Sequence, residues 1–277
     1  MNELTRIKAI FLDVDGTIIS TRTKKIPQSA TEAIREARQK GVKVFLCTSR
    51  AKQFLSNITS IECDGVVALT GAHCIDASGK DIGCSVMASE DLAKAFRDIQ
   101  ENDRPFVAIS SDKVYMSHER GPEVTSYLGT GGLSLEVIPG GVVPFPDFVS
   151  ADDPVALAES MNILQVTGFF PSGDEDTRFM SLMPHSHTER WNEEFVDIVG
   201  NGTSKALGID TMARHFGFDA SETMGVGDGA NDIPMIRHAA IGVAMGNASD
   251  HVKSQADYVT ADVDDDGLAE AIRKFVL

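Results

Sequence analysis

The sequence predicts an α/β protein, a doubly wound parallel sheet into which a second, α+β unit is inserted. Three observations carry this. Short apolar runs alternate with helical patterns at both ends of the chain, two of those runs end in carboxylate clusters, and the rhythm of strand and helix changes between about Cys84 and Val199.

The first run, Ile7 to Leu12, stops at Asp13-Val14-Asp15-Gly16-Thr17. A strand's side-chain period of two puts Asp13 and Asp15 on one face and Val14 on the other, Gly16 permits a sharp turn, and Thr17 adds a hydroxyl to the rim. A helix follows from Ser29, where Ser29-x-x-Glu32 spells a capping box and Ala30, Ala33, Ile34 and Ala37 share a face. Gly41 ends it, and Val42 to Cys47 forms a second strand that finishes in Thr48-Ser49-Arg50. A helix from about Ala51 and a strand at Gly65 to Leu69 continue the alternation, which predicts a Rossmann-like parallel sheet with helices on both faces.

The middle of the chain reads differently. A helix at Ser89 to Gln100, with Leu92, Ala95, Phe96 and Ile99 inward, precedes strands at Phe106 to Ile109 and Val114 to Met116. Asp153-Pro154, a capping residue before a Pro at the first helical position, opens another helix leading to a strand at Ile163 to Phe170. The Gly and Pro clusters, Gly129 to Gly132 and Pro139 to Pro146, read as loops, as does His185-Ser186-His187, which has no nearby third metal ligand. The expected organisation is one continuous insertion, residues 84–199, in a core of residues 1–83 and 200–277.

The chain returns to the earlier rhythm near its end. Thr203 or Ser204 caps a helix that opens with Lys205 and buries Ile209, Met212, Ala213 and Phe216. Met224 to Gly227 is a second short strand ending in acid, Asp228-Gly229-Ala230-Asn231-Asp232. In one parallel sheet both strands open on the same edge, where Asp13, Asp15, Asp228 and Asp232 converge. Two carboxylates about 4 Å apart repel by roughly 4 kcal/mol at an effective dielectric near 20, so the cluster calls for a cation, and Mg2+ suits an all-oxygen site that also meets phosphate. Thr48 and Ser49 offer hydroxyls and N–H groups to phosphate oxygens, and Lys205 a positive charge.

Two other matches fail on their chemistry. Gly225-x-Gly227-x-x-Ala230 has the spacing of a dinucleotide fingerprint, but Asp228 inside it would face a pyrophosphate. Asp262-x-Asp264-x-Asp266-Gly267 begins like a calcium loop, yet its twelfth position is Arg273 rather than a bidentate Glu, so a solvated acidic turn is expected.

The four motifs in this order closely resemble those of the haloacid dehalogenase (HAD) superfamily. Asp13 to Thr17 looks like its DxDGT first motif, Thr48 its second, Lys205 its third, and Gly227 to Asp232 its GDGxND fourth. The position of the insertion, with Gly242 to Ala248 and Asp257 to Thr260, is similar to the Cof-like, type IIB subfamily, whose insertion is a cap. Many relatives have Gly where this chain has Ser49 and Ala206, which leaves every catalytic group in place. The resemblance implies a magnesium-dependent phosphatase acting on small phosphomonoesters, sugar phosphates foremost, with a sugar phosphomutase or a non-catalytic phosphosugar sensor as alternatives. Asp13 would be the nucleophile and Asp15 the acid/base. Asp13, the Asp15 carbonyl and Asp228 would hold Mg2+, with Asp232 behind them. Thr48, Ser49, Lys205 and Asn231 would hold phosphate, and Arg50 would face the substrate.

Composition fits this reading. The 277 residues carry a formal net charge of −16, which argues against nucleic-acid and anionic-membrane partners. The expected partner is a small phosphorylated metabolite, with no obligate protein partner inferred. The polar start and the absence of a long apolar stretch predict neither a signal peptide nor a membrane span. Cys47, Cys63, Cys74 and Cys84 lack CxxC spacing and read as reduced thiols in a cytoplasmic protein. Substrate choice is expected to lie in the cap, where His118, Glu119, Arg120, Arg178, His185 and His187 are polar candidates.

Overall fold

The structure, a computed structural model, describes residues 7–55, 58, 61–116, 124, 142–170, 173–190 and 193–277. The chain divides into two compact units, Met1–Gly83 with Ser204–Leu277, and Cys84–Thr203. The strands are β1 (Ala9–Leu12), β2 (Lys43–Cys47), β3 (Gly65–Ala68), β4 (His73–Asp76) and β5 (Asp81–Cys84), then β6 (Phe106–Ser110), β7 (Val114–Met116), β8 (Val143–Pro144), β9 (Ile163–Gly168), β10 (Ser186–Glu189) and β11 (Val196–Gly200), and finally β12 (Thr223–Gly227), β13 (Ile241–Ala244) and β14 (Tyr258–Val259). The helices whose bounds are described are α1 (Gln28–Gln39), α2 (Ser89–Glu101), α3 (Pro154–Met161), α4 (Asp174–Met180), α5 (Lys205–Phe216), α6 (Ile233–His238), α7 (Asp250–Lys253) and α8 (Gly267–Phe275).

The first sheet runs β14-β13-β12-β1-β2-β3-β4-β5. From β14 to β3 every pairing is parallel, and β4 runs antiparallel to β3. β1, β3 and β12 are buried along their whole length, and β2 from Val44 onward, as expected of parallel strands covered on both faces. Phe11 on β1 stacks on Phe45 of β2 at 4.9 Å, and α5 adds Ile209 and Met212 to the same cluster. The chain leaves β1 toward β2 on one side and reaches β12 on the other, so β1 lies at the point where the winding reverses, the usual place for a ligand site in such sheets.

Among its described residues the second unit has a six-stranded sheet, β10-β11-β9-β6-β7-β8, antiparallel except for the β7–β8 pair. One face carries Phe106, Ala108, Val166, Val196 and Ile198, packed with Leu92, Phe96 and Ile99 of α2, Met161 of α3 and Phe179 of α4. The Asp153 carboxylate accepts the Ala156 N–H at 3.0 Å, the cap expected from Asp153-Pro154.

Local expectations and the structure differ in five places. Helix α1 buries Ala30, Ala33, Ile34 and Ala37, but it starts at Gln28 after Pro27, and the Ser29 hydroxyl bonds Asp266 instead of capping. The helix expected at Ala51 is, in its described part, a 3-10 turn at Lys52–Phe54. Val143–Pro144 pairs with β7 inside a segment read as loop. Ser186 and His187 belong to edge strand β10. The second unit ends at Thr203, beyond the Val199 boundary, because β11 and its following turn pair within its own sheet. His118, Glu119, Arg120 and Gly129 to Gly132 lie outside the described residues.

Candidate active site

β12, β1 and β2 lie side by side and parallel, so their carboxyl ends open on one edge. Asp13 follows β1 and stays in register, its N–H donating to Val226 O at 2.9 Å. Thr48 follows β2 in the same way, with its N–H on Val67 O at 2.8 Å. Asp228 follows β12.

Lys205 enters from α5. Ser204 caps that helix by accepting the Leu207 N–H, which fixes the first turn and delivers Lys205, fully buried, beneath the edge. Its Nζ donates to Asp13 Oδ1 at 2.6 Å and to Asp232 Oδ1 at 2.5 Å. Asp232 uses its other oxygen to accept the N–H groups of Asp228 and Gly229, each at 2.9 Å. Both Asp232 oxygens are therefore engaged, which makes this residue the anchor of the loop. A Cβ at Gly227 would come within 2.3 Å of the Asp232 carboxyl carbon, so glycine is required for this packing.

Asp228 receives the Thr17 hydroxyl on Oδ1 and the Asn247 amide on Oδ2, both at 3.2 Å. Gly16 makes room for it: φ is +90°, and a Cβ there would lie 2.2 Å from Asp228 Oδ2. Asp13, Asp228 and Asp232 each offer a carboxylate oxygen within 4.8 Å of the others. Three carboxylates face one ammonium. Burial works against the charge on Lys205, but Asp13 and Asp232 more than offset this and hold it protonated. Asp13 is pushed well above the carboxylate range by burial, then by Asp232. Asp228 is pushed up to about 7, by burial first and Asp232 second. This anionic excess, in an all-oxygen donor set, fits a hard cation.

Asp15 does not join this cluster. Its carboxylate is turned onto Arg50, which donates from Nε to Oδ2 at 2.7 Å and from Nη2 to Oδ1 at 2.6 Å. The geometry is a bidentate fork, the strong and directional form of this ion pair. Arg50, expected to face the substrate, is buried against Asp15 and also reaches Phe54 O. Thr48 is buried and its hydroxyl accepts the Arg50 N–H at 3.1 Å. Ser49 is half-buried between these two, and Asn231 is half-buried in the 3-10 turn Ala230–Asp232. The structure thus brings together Asp13, Asp228, Asp232 and Lys205, with the Asp15 carboxylate held by Arg50 and near enough for its charge to act on Asp228. Sequence reasoning gave Asn247 no role, its only signal being the Gly242 to Ala248 segment in which it stands.

The chain resembles known proteins over nearly its whole length. The family model for haloacid dehalogenase-like hydrolases matches residues 10–272. The chain belongs to the HAD superfamily. The HAD subclass IIB sugar phosphatase BT4131 is 33% identical, with a TM-score of 0.81, and the match covers 97% of this chain and 98% of that one. The HAD phosphatase BT1666 from Bacteroides thetaiotaomicron is also 33% identical, with a TM-score of 0.82 over 99% of this chain and 97% of its own. The 5-amino-6-(5-phospho-D-ribitylamino)uracil phosphatase YcsE of Bacillus subtilis (strain 168) is 27% identical over 278 residues, 98% of this chain and 96% of its own. This HAD member is a phosphatase of the Cof-like, type IIB kind. No helix among its described residues is long and apolar enough to cross a membrane.

Proposed function

We propose that the chain is a Mg2+-dependent phosphatase of small phosphomonoesters, sugar phosphates foremost, working through an aspartyl-phosphate on Asp13. The observation that carries this is the Asp13 carboxylate itself. Lys205 holds one of its oxygens from below, on an edge that a second carboxylate, Asp228, also faces. A binding protein needs no nucleophile there.

In the first half-reaction an Asp13 oxygen attacks phosphorus, the ester oxygen leaves, and Asp15 supplies its proton. In the second, Asp15 takes a proton from water as the water oxygen attacks phosphorus and the Asp13–phosphorus bond breaks, releasing inorganic phosphate. To do either, Asp15 gives up at least one of its two Arg50 bonds. Lys205 keeps Asp13 aligned, while Thr48, Ser49 and Asn231 line the phosphoryl oxygens. Asp13, the Asp15 carbonyl and Asp228 would hold Mg2+, which when bound supplies positive charge to offset the phosphoryl group and the carboxylates. Asp232, with both oxygens in use, stays behind them.

The sugar reading is supported by BT4131, a sugar phosphatase, and by YcsE, whose named substrate carries a phosphorylated ribityl chain. We place the protein in the cytoplasm, acting on a free metabolite. A screen of phosphorylated metabolites for Mg2+-dependent phosphate release tests the reading. Phosphate released in step with substrate consumed supports hydrolysis over a mutase, and full turnover in excess chelator overturns the metal assignment.

A further inference from the structure

We infer that Asn247 is a positioning residue for cation binding, holding the Asp228 carboxylate at its working angle; this rests on the metal reading above. Asn247 lies beyond the four motifs, an exposed residue in the otherwise largely buried loop after β13. One Nδ2 hydrogen goes to Gly16 O at 2.9 Å and the other to Asp228 Oδ2 at 3.2 Å. Its Oδ1 accepts the Val263 N–H at 3.0 Å. That last bond decides which way the amide faces, because an N–H can meet only the oxygen, and it leaves the NH2 for the two acceptors.

The loop is itself fastened on both sides. The Met245 N–H donates to Gly227 O, next to Asp228, and the Gly246 N–H donates to Ala261 O. A Cβ at Gly246 would meet Asp262 N at 2.5 Å, so the acidic turn packs directly on the loop. Three acidic side chains of that turn are occupied elsewhere: Asp262 accepts the Asp264 N–H, Asp264 pairs with Arg22, and Asp266 takes the Ser29 hydroxyl. What the turn contributes is the Val263 N–H that aims Asn247. With Thr17 on Oδ1 and Asn247 on Oδ2, both Asp228 oxygens are directed by protein donors from two different loops.

Outer hydrogen bonds of this kind are worth roughly 10–100-fold in metal affinity. The test is a titration of the metal-free protein with Mn2+ alone, following loss of the free-ion EPR signal, for wild type, Asn247→Ala and Asp228→Ala. The expected result is binding by wild type, about 10-fold weaker binding by Asn247→Ala, and severe loss in Asp228→Ala. Saturating Mg2+ should then return the kcat of Asn247→Ala to within about twofold of wild type with KM for the phosphoester unchanged, which a merely structural defect would not allow. If Asn247→Ala loses its near-UV circular dichroism, the titration is read on Asn247→Ser, whose side chain is too short to reach all three partners. Wild type that binds Mn2+ no better than Asn247→Ala overturns this inference and leaves the phosphatase reading standing. Wild type that binds no Mn2+ overturns the metal reading and this inference together.

Discussion

Replacing Lys205 by Met keeps the volume of the buried side chain and removes its charge. At the observed 2.6 and 2.5 Å, each carboxylate contact is worth about 6 kcal/mol at an effective dielectric near 20. Little of that appears as net stability, because the three groups were desolvated to make the contacts. What the variant exposes is the cost of leaving Asp13 and Asp232 buried without a cation, about 3–5 kcal/mol. The cost depends on pH. Asp13 already binds its proton well above the carboxylate range, and losing Lys205 raises it further, so acidification neutralises the orphaned charge. Urea unfolding in chelator should therefore show a difference from wild type that is largest near pH 8 and narrows toward pH 5. A difference under about 1 kcal/mol at pH 8, or one that widens on acidification, would refute the reasoning.

Other perturbations have equally definite outcomes. Asp13→Asn should cut phosphate release by on the order of 10^4 or more while stability changes by no more than about 1 kcal/mol, and retained turnover excludes the covalent role. In the metal-free protein Asp228 has been raised from the ordinary carboxylate range to about 7, so its contribution to stability is present at low pH and is lost as pH rises through that window. Thermal unfolding across pH 4–8, with and without Mg2+, should show the metal recovering stability mainly at the upper end. Gly16→Ala combines a left-handed backbone with a methyl group 2.2 Å from Asp228 Oδ2, and should cost about 2–4 kcal/mol in urea and weaken Mg2+ binding. A Gly16→Ala protein with wild-type metal affinity would show that the loop yields without moving Asp228.

The sequence was most legible where chemistry and backbone period coincide. Asp13, Thr48, Lys205 and Asp228 each stand at the end of an element, and the apolar face of α1 could be read residue by residue. It was least legible where a side chain chooses a partner from a distant segment. Ser29 looked like a cap because Glu32 was near in sequence, yet Asp266 takes its hydroxyl. Strand alternation put Asp15 beside Asp13, but nothing local told that Arg50 would bind both oxygens of Asp15. Val143–Pro144 joins β7 through pairing that a Pro-rich stretch does not advertise. Asn247 was invisible for the same reason: its three bonds go to residues 16, 228 and 263.

On the ribosome, β1 and β2 emerge early while β12 waits until residue 227 has been added. Until then one whole flank of β1, the strand at the heart of the first sheet, has its amides and carbonyls open to any passing chain. The second unit needs no such delay, since the six strands among its described residues arrive within residues 106–200 and pair among themselves. A released chain ending just past residue 203 thus holds every described strand of the second sheet while β1 still lacks its β12 neighbour, an open flank of the kind that invites mispairing.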